Sequence, residues 1–222
     1  MRAVSGSRRA VAAGISVIVL LATTCGLLVA SASSSATSPP SMTPTAVAFH
    51  DAMRELWEDH GAWTRMAITS FAANSPDLKV TEGRLLANQT DIGNAVKPYY
   101  GSAAGDKLTA LLKQHILAAV GVLVAAKSGS KSQLASAEAA FYANGRQVAA
   151  FLHAANPGSW SLAAMRQMMV THLNQVVAMG ADELTGNYAA SAAEWNPYRS
   201  HLLAMADMLS SGIIIQFPSR FL

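Results

Sequence analysis

Four histidines fall at helical spacing inside apolar stripes. His60 stands among Met53, Leu56, Trp63 and Ala67, and His115 among Leu108, Leu111, Ala118 and Val122. His172 stands among Met165, Met169, Val176 and Met179, and His201 among Tyr198, Met205 and Met208. Steps of three and four residues put each histidine on the buried face of its helix. A buried imidazole is unfavourable unless its nitrogens have partners. A metal ion or a haem iron satisfies one nitrogen, and a neighbouring amide or carboxylate holds the other.

Heights along the helices follow from the turns. In antiparallel helices joined by a short turn, residues equidistant from the turn lie level. His172 pairs with His201 about Gly186, His115 with Asn144 about Gly129, and Asn144 with His172 about Gly158. Asp91 pairs with His115 about the segment Gly101–Gly105, and with His60 about Pro76. His60, Asp91, His115, Asn144, His172 and His201 are therefore expected to share one polar layer, with three or four side chains converging. The expected metal ligands are His60, Asp91, His115, His172 and His201. Asn88, Asn144, Met168 and Met205 are the expected outer partners. Met168 pairs with Met205, and Met165 with Met208, so a methionine ladder lies beside the layer. Thioether with imidazole suits copper(I), a His/Met pair suits haem, and His with Asp91 suits zinc or iron. The alternative is a metal-free layer of hydrogen bonds that fixes helix register. His50 and His153 fall off the layer.

The elements that position these residues form an all-α, up-down antiparallel bundle of about six helices. Breakers divide residues 46–222 into helices over about 47–73, 81–96, 106–126, 133–155, 161–184 and 188–214. The second is expected to end before Pro98, and Pro197 to kink the sixth or mark its true start. The β-branched run Ile213-Ile214-Ile215 reads as a last helical turn or a short extended piece. Asn88 to Val122 and Asn144 to Met179 share a layout, a duplicated helical hairpin, and His201-Leu202 adds a third His-Leu step.

Ahead of the bundle, residues 1–32 read as a signal peptide or membrane anchor, and 33–45 as a Ser/Thr/Pro linker. Three arginines precede the uncharged stretch Ala10 to Ala30, and Ala30-Ser31-Ala32 follows it. Ser7-Arg8-Arg9 resembles a twin-arginine signal, whereas Cys25 matches a lipoprotein box poorly. The body is thus expected outside the cytoplasm, tethered to the membrane through this segment or secreted. Without Arg2, Arg8 and Arg9 the chain holds 13 Lys and Arg against 13 Asp and Glu. A neutral body argues against nucleic acid as a partner. With Cys25 the lone cysteine, the body has neither a disulfide nor a thiolate ligand.

Leu56-Trp57-Glu58-Asp59-His60 with Trp63-Thr64-Arg65, Asn88-Gln89-Thr90-Asp91-Ile92-Gly93-Asn94-Ala95-Val96-Lys97-Pro98-Tyr99-Tyr100-Gly101, and Met205-Ala206-Asp207-Met208-Leu209-Ser210 with Gln216-Phe217-Pro218 carry a resemblance. Over about residues 50–222 the chain resembles an uncharacterised family of exported helical proteins of Gram-positive bacteria. Some of its members are automatically named glycosyltransferases. That chemistry needs a nucleotide-sugar α/β fold or a multi-span membrane fold, and the sequence has the pattern of neither. Glu-x-x-His, His-Glu-x-x-His, a phosphate loop and Gly-x-Ser-x-Gly are all absent. The sequence therefore supports an exported helical bundle that binds a transition metal or haem as carrier, sensor or redox accessory. The alternatives are a metal-free structural or interaction module of the cell envelope, and a metalloenzyme with an open coordination site.

Overall fold

A computed structural model describes residues 42–222. Residues 1–32 and most of the linker lie outside the described residues, so the export segment is not placed. Pro44 and Thr45, the last linker positions, already belong to the first helix.

The described residues form six α-helices and no strand: α1 Pro44–Ala73, α2 Leu78–Tyr100, α3 Ser102–Ser128, α4 Lys131–Ala155, α5 Leu162–Thr185 and α6 Tyr188–Gln216. A 3-10 turn, Pro218–Arg220, closes the chain. Each helix packs on the next, α6 returns to α1, and α5 also reaches α1 and α3. The result is a closed ring of three helical hairpins, α1–α2, α3–α4 and α5–α6.

Local chemistry fixes the boundaries. Thr43 caps α1, its hydroxyl accepting from Ala46 N–H and donating to the Phe221 carbonyl, so the C-terminal end is tied to the start of the bundle. Ser130 and Ser161 cap α4 and α5 in the same way. The three hairpins turn on left-handed residues, Asn74 (φ 53°), Gly129 (φ 72°) and Gly186 (φ 76°). Ile213-Ile214-Ile215 lies within α6.

Two expectations at prolines need correction. α2 runs through Pro98 to Tyr100, and α6 runs through Pro197 from Tyr188. Pro98 lies in the last turn, where only one helical bond is lost, and the Ala193 carbonyl that Pro197 leaves without a partner belongs to an exposed residue. The break between α2 and α3 is a single residue, Gly101 (φ 82°), rather than the five-residue segment to Gly105.

Gly105 instead lies inside α3, where it crosses α2 at Gly93. A Cβ on Gly105 would sit 2.6 Å from the Gly93 carbonyl oxygen, and one on Gly93 would sit 2.7 Å from that of Gly105. Two backbones this close leave no side chain room to yield. Replacement Gly105→Ala is expected to lower stability by about 1–3 kcal/mol, through overpacking that outweighs the gain in helix propensity. Urea unfolding at neutral pH measures it, and an unchanged midpoint would show that the crossing relaxes.

Candidate functional site

The first helix of each hairpin carries one buried histidine. His60 on α1, His115 on α3 and His172 on α5 are all buried, at 2–3% exposure. His172 is central, with ring centres 5.6 Å from His60, 5.5 Å from His115 and 6.4 Å from His201. Phe141 packs on His115 and Tyr198 on His172, each with rings nearly parallel.

The second helix of each hairpin ties itself to the first in one way. Asn88 Nδ2 donates to the Leu56 carbonyl at 3.0 Å, and Asn144 Nδ2 to the Leu111 carbonyl at 3.1 Å. His201 Nε2 meets the Met168 carbonyl at 3.1 Å. Leu56, Leu111 and Met168 each stand four residues before the histidine of their hairpin. The carbonyl only accepts, so these contacts assign protons. Asn144 turns its Oδ1 toward His115 Nδ1, 3.0 Å away. His115 must therefore donate from Nδ1, which leaves the lone pair on Nε2. That is the tautomer of a metal-ligating histidine whose other nitrogen is held by an outer partner. Around His60 the arrangement is looser. Gln89 Nε2 lies 3.1 Å from His60 Nδ1, 2.9 Å from the Leu85 carbonyl and 3.0 Å from Asn88 Oδ1, three acceptors for two protons. His172 Nδ1 is buried with no partner at all.

A cavity of about 40 Å³ lies among His60, His115 and His172. Met53, Met168, Met169 and Met205 line it, with Trp57 and Trp160, and no lining residue is charged. Its surface is apolar, and its volume exceeds the roughly 10–15 Å³ that one water-sized body needs, so it has room for a single ion.

Of the expected ligands, the structure brings His60, His115 and His172 together, and sets His201 beside them at the half-buried wall. It excludes Asp91. That carboxylate is 47% exposed and pairs with Arg84, which also holds Asp59. The reason is the turn. With α3 starting at Ser102, the hairpin centre moves back to Gly101, and the residue level with His115 becomes 87 or 88 rather than 91. Of the expected outer partners, Asn88 and Asn144 are buried and tie their hairpins, and Met168 and Met205 line the cavity. Asn88, which also opens an Asn-x-Thr sequon, is 0% exposed and out of reach of glycan attachment in the folded chain. His50 bonds Asp207 at 3.0 Å on the outer face, and His153 donates to the Trp160 carbonyl. Gln89 went unnoticed in the sequence, although its place four residues after Leu85, on the same stripe, was the available signal. Among the described residues, no three His, Cys, Asp or Glu side chains are gathered closely enough to hold an ion as they stand.

Comparison with protein-family models, curated proteins and solved structures returns no match. The resemblance described above stands on its motifs alone.

Burial sets the protonation of the site. It pushes His60 down to about 3, helped by nearby His115 and opposed by Asn88. It pushes His115 down to about 4 against the bond His115 donates to Asn144. His172 goes well below its ordinary value through burial and then through the other three imidazoles. The cluster is uncharged at neutral pH. In the unfolded chain each imidazole titrates near 6.5. The unfolded state therefore binds more protons between about pH 4 and 6.5, so stability is complete above that window and is lost as pH falls through it. With three such groups the loss should approach about 4 kcal/mol per pH unit at the acid end. Urea midpoints between pH 7.5 and 5 read the slope. His172→Phe should remove about one proton from it with little effect at pH 7.5, and an unchanged slope would exclude His172 from the titration.

Proposed function

We infer that the chain is an exported helical bundle that carries a transition-metal ion in its core, among His115, His172 and His60. The observation that carries this reading is the pairing of two neighbouring buried rings beside one small apolar cavity: His115, whose tautomer Asn144 commits to a free Nε2 lone pair, and His172, whose Nδ1 has no partner. Ring centres 5.5–5.6 Å apart put two imidazoles within reach of one ion, through bonds of about 2.0 Å, once their nitrogens turn inward.

The size of the cavity supports an ion over haem, because about 40 Å³ is far below the volume of a porphyrin. Its chemistry supports copper(I) over zinc or iron. Every donor on the wall is neutral, and the desolvation penalty grows with the square of the charge, so a monovalent ion is held at far lower cost than a divalent one. Thioethers of Met168, Met169, Met53 and Met205 add soft donors. A cavity of about 40 Å³ is too small for an organic substrate beside the ion, which supports a carrier over a metalloenzyme. Six helices without a strand among the described residues offer no nucleotide-sugar fold, so a glycosyltransferase reading gains no support. The proposed location is outside the cytoplasm, with residues 1–32 as signal or membrane anchor.

A second reading, a metal-free envelope module, draws on a specific observation. As they stand, the donors do not converge, and binding needs the rings to turn inward.

The test is anaerobic titration of the full, untagged chain with copper(I) against a chromophoric chelator, beside zinc(II). One copper(I) per chain is expected, bound at least 100-fold tighter than zinc. His115→Ala should abolish binding, and Asn144→Leu should weaken it by about 10–100-fold. Zinc bound as tightly would overturn the choice of ion. No ion bound, with an unchanged melting temperature, would support the metal-free module.

A further inference from the structure

The three hairpins repeat one device, and the third repeats it incompletely. In α3–α4, one asparagine does two jobs: Asn144 donates to the Leu111 carbonyl and accepts from His115 Nδ1. In α1–α2, Asn88 donates to the Leu56 carbonyl, and its neighbour Gln89 stands against His60 Nδ1. In α5–α6, the equivalent position is His201. It keeps the first job, through Nε2 and the Met168 carbonyl. It drops the second. With the proton on Nε2, its Nδ1 keeps a lone pair, and the ring lies too far from His172, at 6.4 Å between centres, to bond it. His172 Nδ1 is orphaned as a direct result.

Exposure differs in the same place. Asn88 and Asn144 are 0% and 7% exposed, whereas His201 is half-buried at the wall of the bundle. The other two tying side chains are both buried. The departure from the repeat thus puts a ring with one unused nitrogen in a half-buried position, 6.4 Å between centres from the core imidazole that nothing holds. Met168, whose backbone anchors His201, has its side chain on the cavity.

We propose that His201 is the port of the site: it takes a copper(I)-class ion at the bundle wall and passes it to His172 in the core. This rests on the carrier reading above. The passage is an exchange of neutral ligands on one ion, with no change of oxidation state. His201 acts on the rate at which the core fills and empties, and the core ligands set how tightly the ion is held.

The decisive variant is His201→Asn, which restores the side chain used by the other two hairpins. Its amide can donate to the Met168 carbonyl and accept from His172 Nδ1, plugging the port and supplying the missing partner. The ion-free variant should melt a few degrees higher than the parent. Silver(I), used as the probe in stopped flow, should quench the fluorescence of Trp57 and Trp160, which line the cavity, at least tenfold more slowly. Release to a chelator should slow by the same factor, leaving affinity within threefold of the parent. His201→Ala, which removes the relay nitrogen without adding an amide, should also slow loading but should not raise the melting temperature. Loading at the parent rate in both variants would overturn the port. A 100-fold loss of affinity with loading unchanged would make His201 a resident ligand and would also overturn it. If the parent takes up neither silver(I) nor copper(I), the carrier reading itself fails and the port with it.

Discussion

One contact recurs at the centre of each hairpin: a polar side chain on the second helix donates to the carbonyl four residues before the histidine on the first. Much else depends on it. That carbonyl already lies in the helical ladder, so the incoming donor uses its second lone pair and fixes the two helices in register at that height. A slip of one turn would leave two buried polar groups without partners, a penalty of a few kcal/mol in an apolar core. The histidine one turn further on is then delivered to the same depth in all three hairpins. Closure of the six helices into a ring brings the three first helices to a common interior, with α5 touching both α1 and α3.

The centre that results is polar in composition yet uncharged. Burial keeps the imidazoles neutral, and the acids that helical spacing brought near the layer, such as Asp91, face water with their own arginine. A site of neutral nitrogens and thioethers behaves differently from a carboxylate site. It cannot offset the charge of a divalent ion, and hydrated cations gain nothing by leaving water for it. The proposed ion, a soft one that gives up its water readily and bonds nitrogen and sulfur well, is the kind such donors would favour. The same neutrality makes the fold sensitive to acid, since each proton taken up in the core sits beside other imidazoles that would also be charged.

Much of this was legible in the residues alone. Helix existence followed from breakers, and the depth of His115 and Asn144 from their nearly equal distances to Gly129, a residue whose left-handed φ the turn requires. Asp91 shows where such reasoning fails. Two glycines, Gly101 and Gly105, marked the same turn, and sequence offers no way to tell a glycine that breaks a helix from one that lets two helices touch. Choosing the wider turn displaced the hairpin centre by two residues, enough to carry a surface carboxylate into the inferred layer. Gln89 was hidden for a related reason. A stripe drawn in steps of three and four admits one residue per turn, whereas the interior here takes two adjacent ones, Asn88 and Gln89, both 0% exposed. The pairing of rings across the three hairpins needed coordinates, because nothing local in a sequence sets how a ring of helices closes.

An internal repeat supplies its own control. Where a fold satisfies one buried imidazole with an asparagine amide and sets Gln89 against another, a third place that offers its histidine no partner cannot be blamed on the geometry of the hairpin. The geometry is the same to within a residue: His172 and His201 stand fourteen before and fifteen after Gly186, as His115 and Asn144 do about Gly129. Only the side chain differs. An orphaned nitrogen in a core lowers stability, and a chain that holds one where a single substitution would cure it is trading stability for something the cured form lacks. What an asparagine at 201 would lack is an imidazole at the half-buried wall of the bundle, 6.4 Å between ring centres from His172, the ring on which the proposed port depends. Local rules tend to be broken where a protein works, and here the break falls on the tying side chain that is half-buried where the other two are buried.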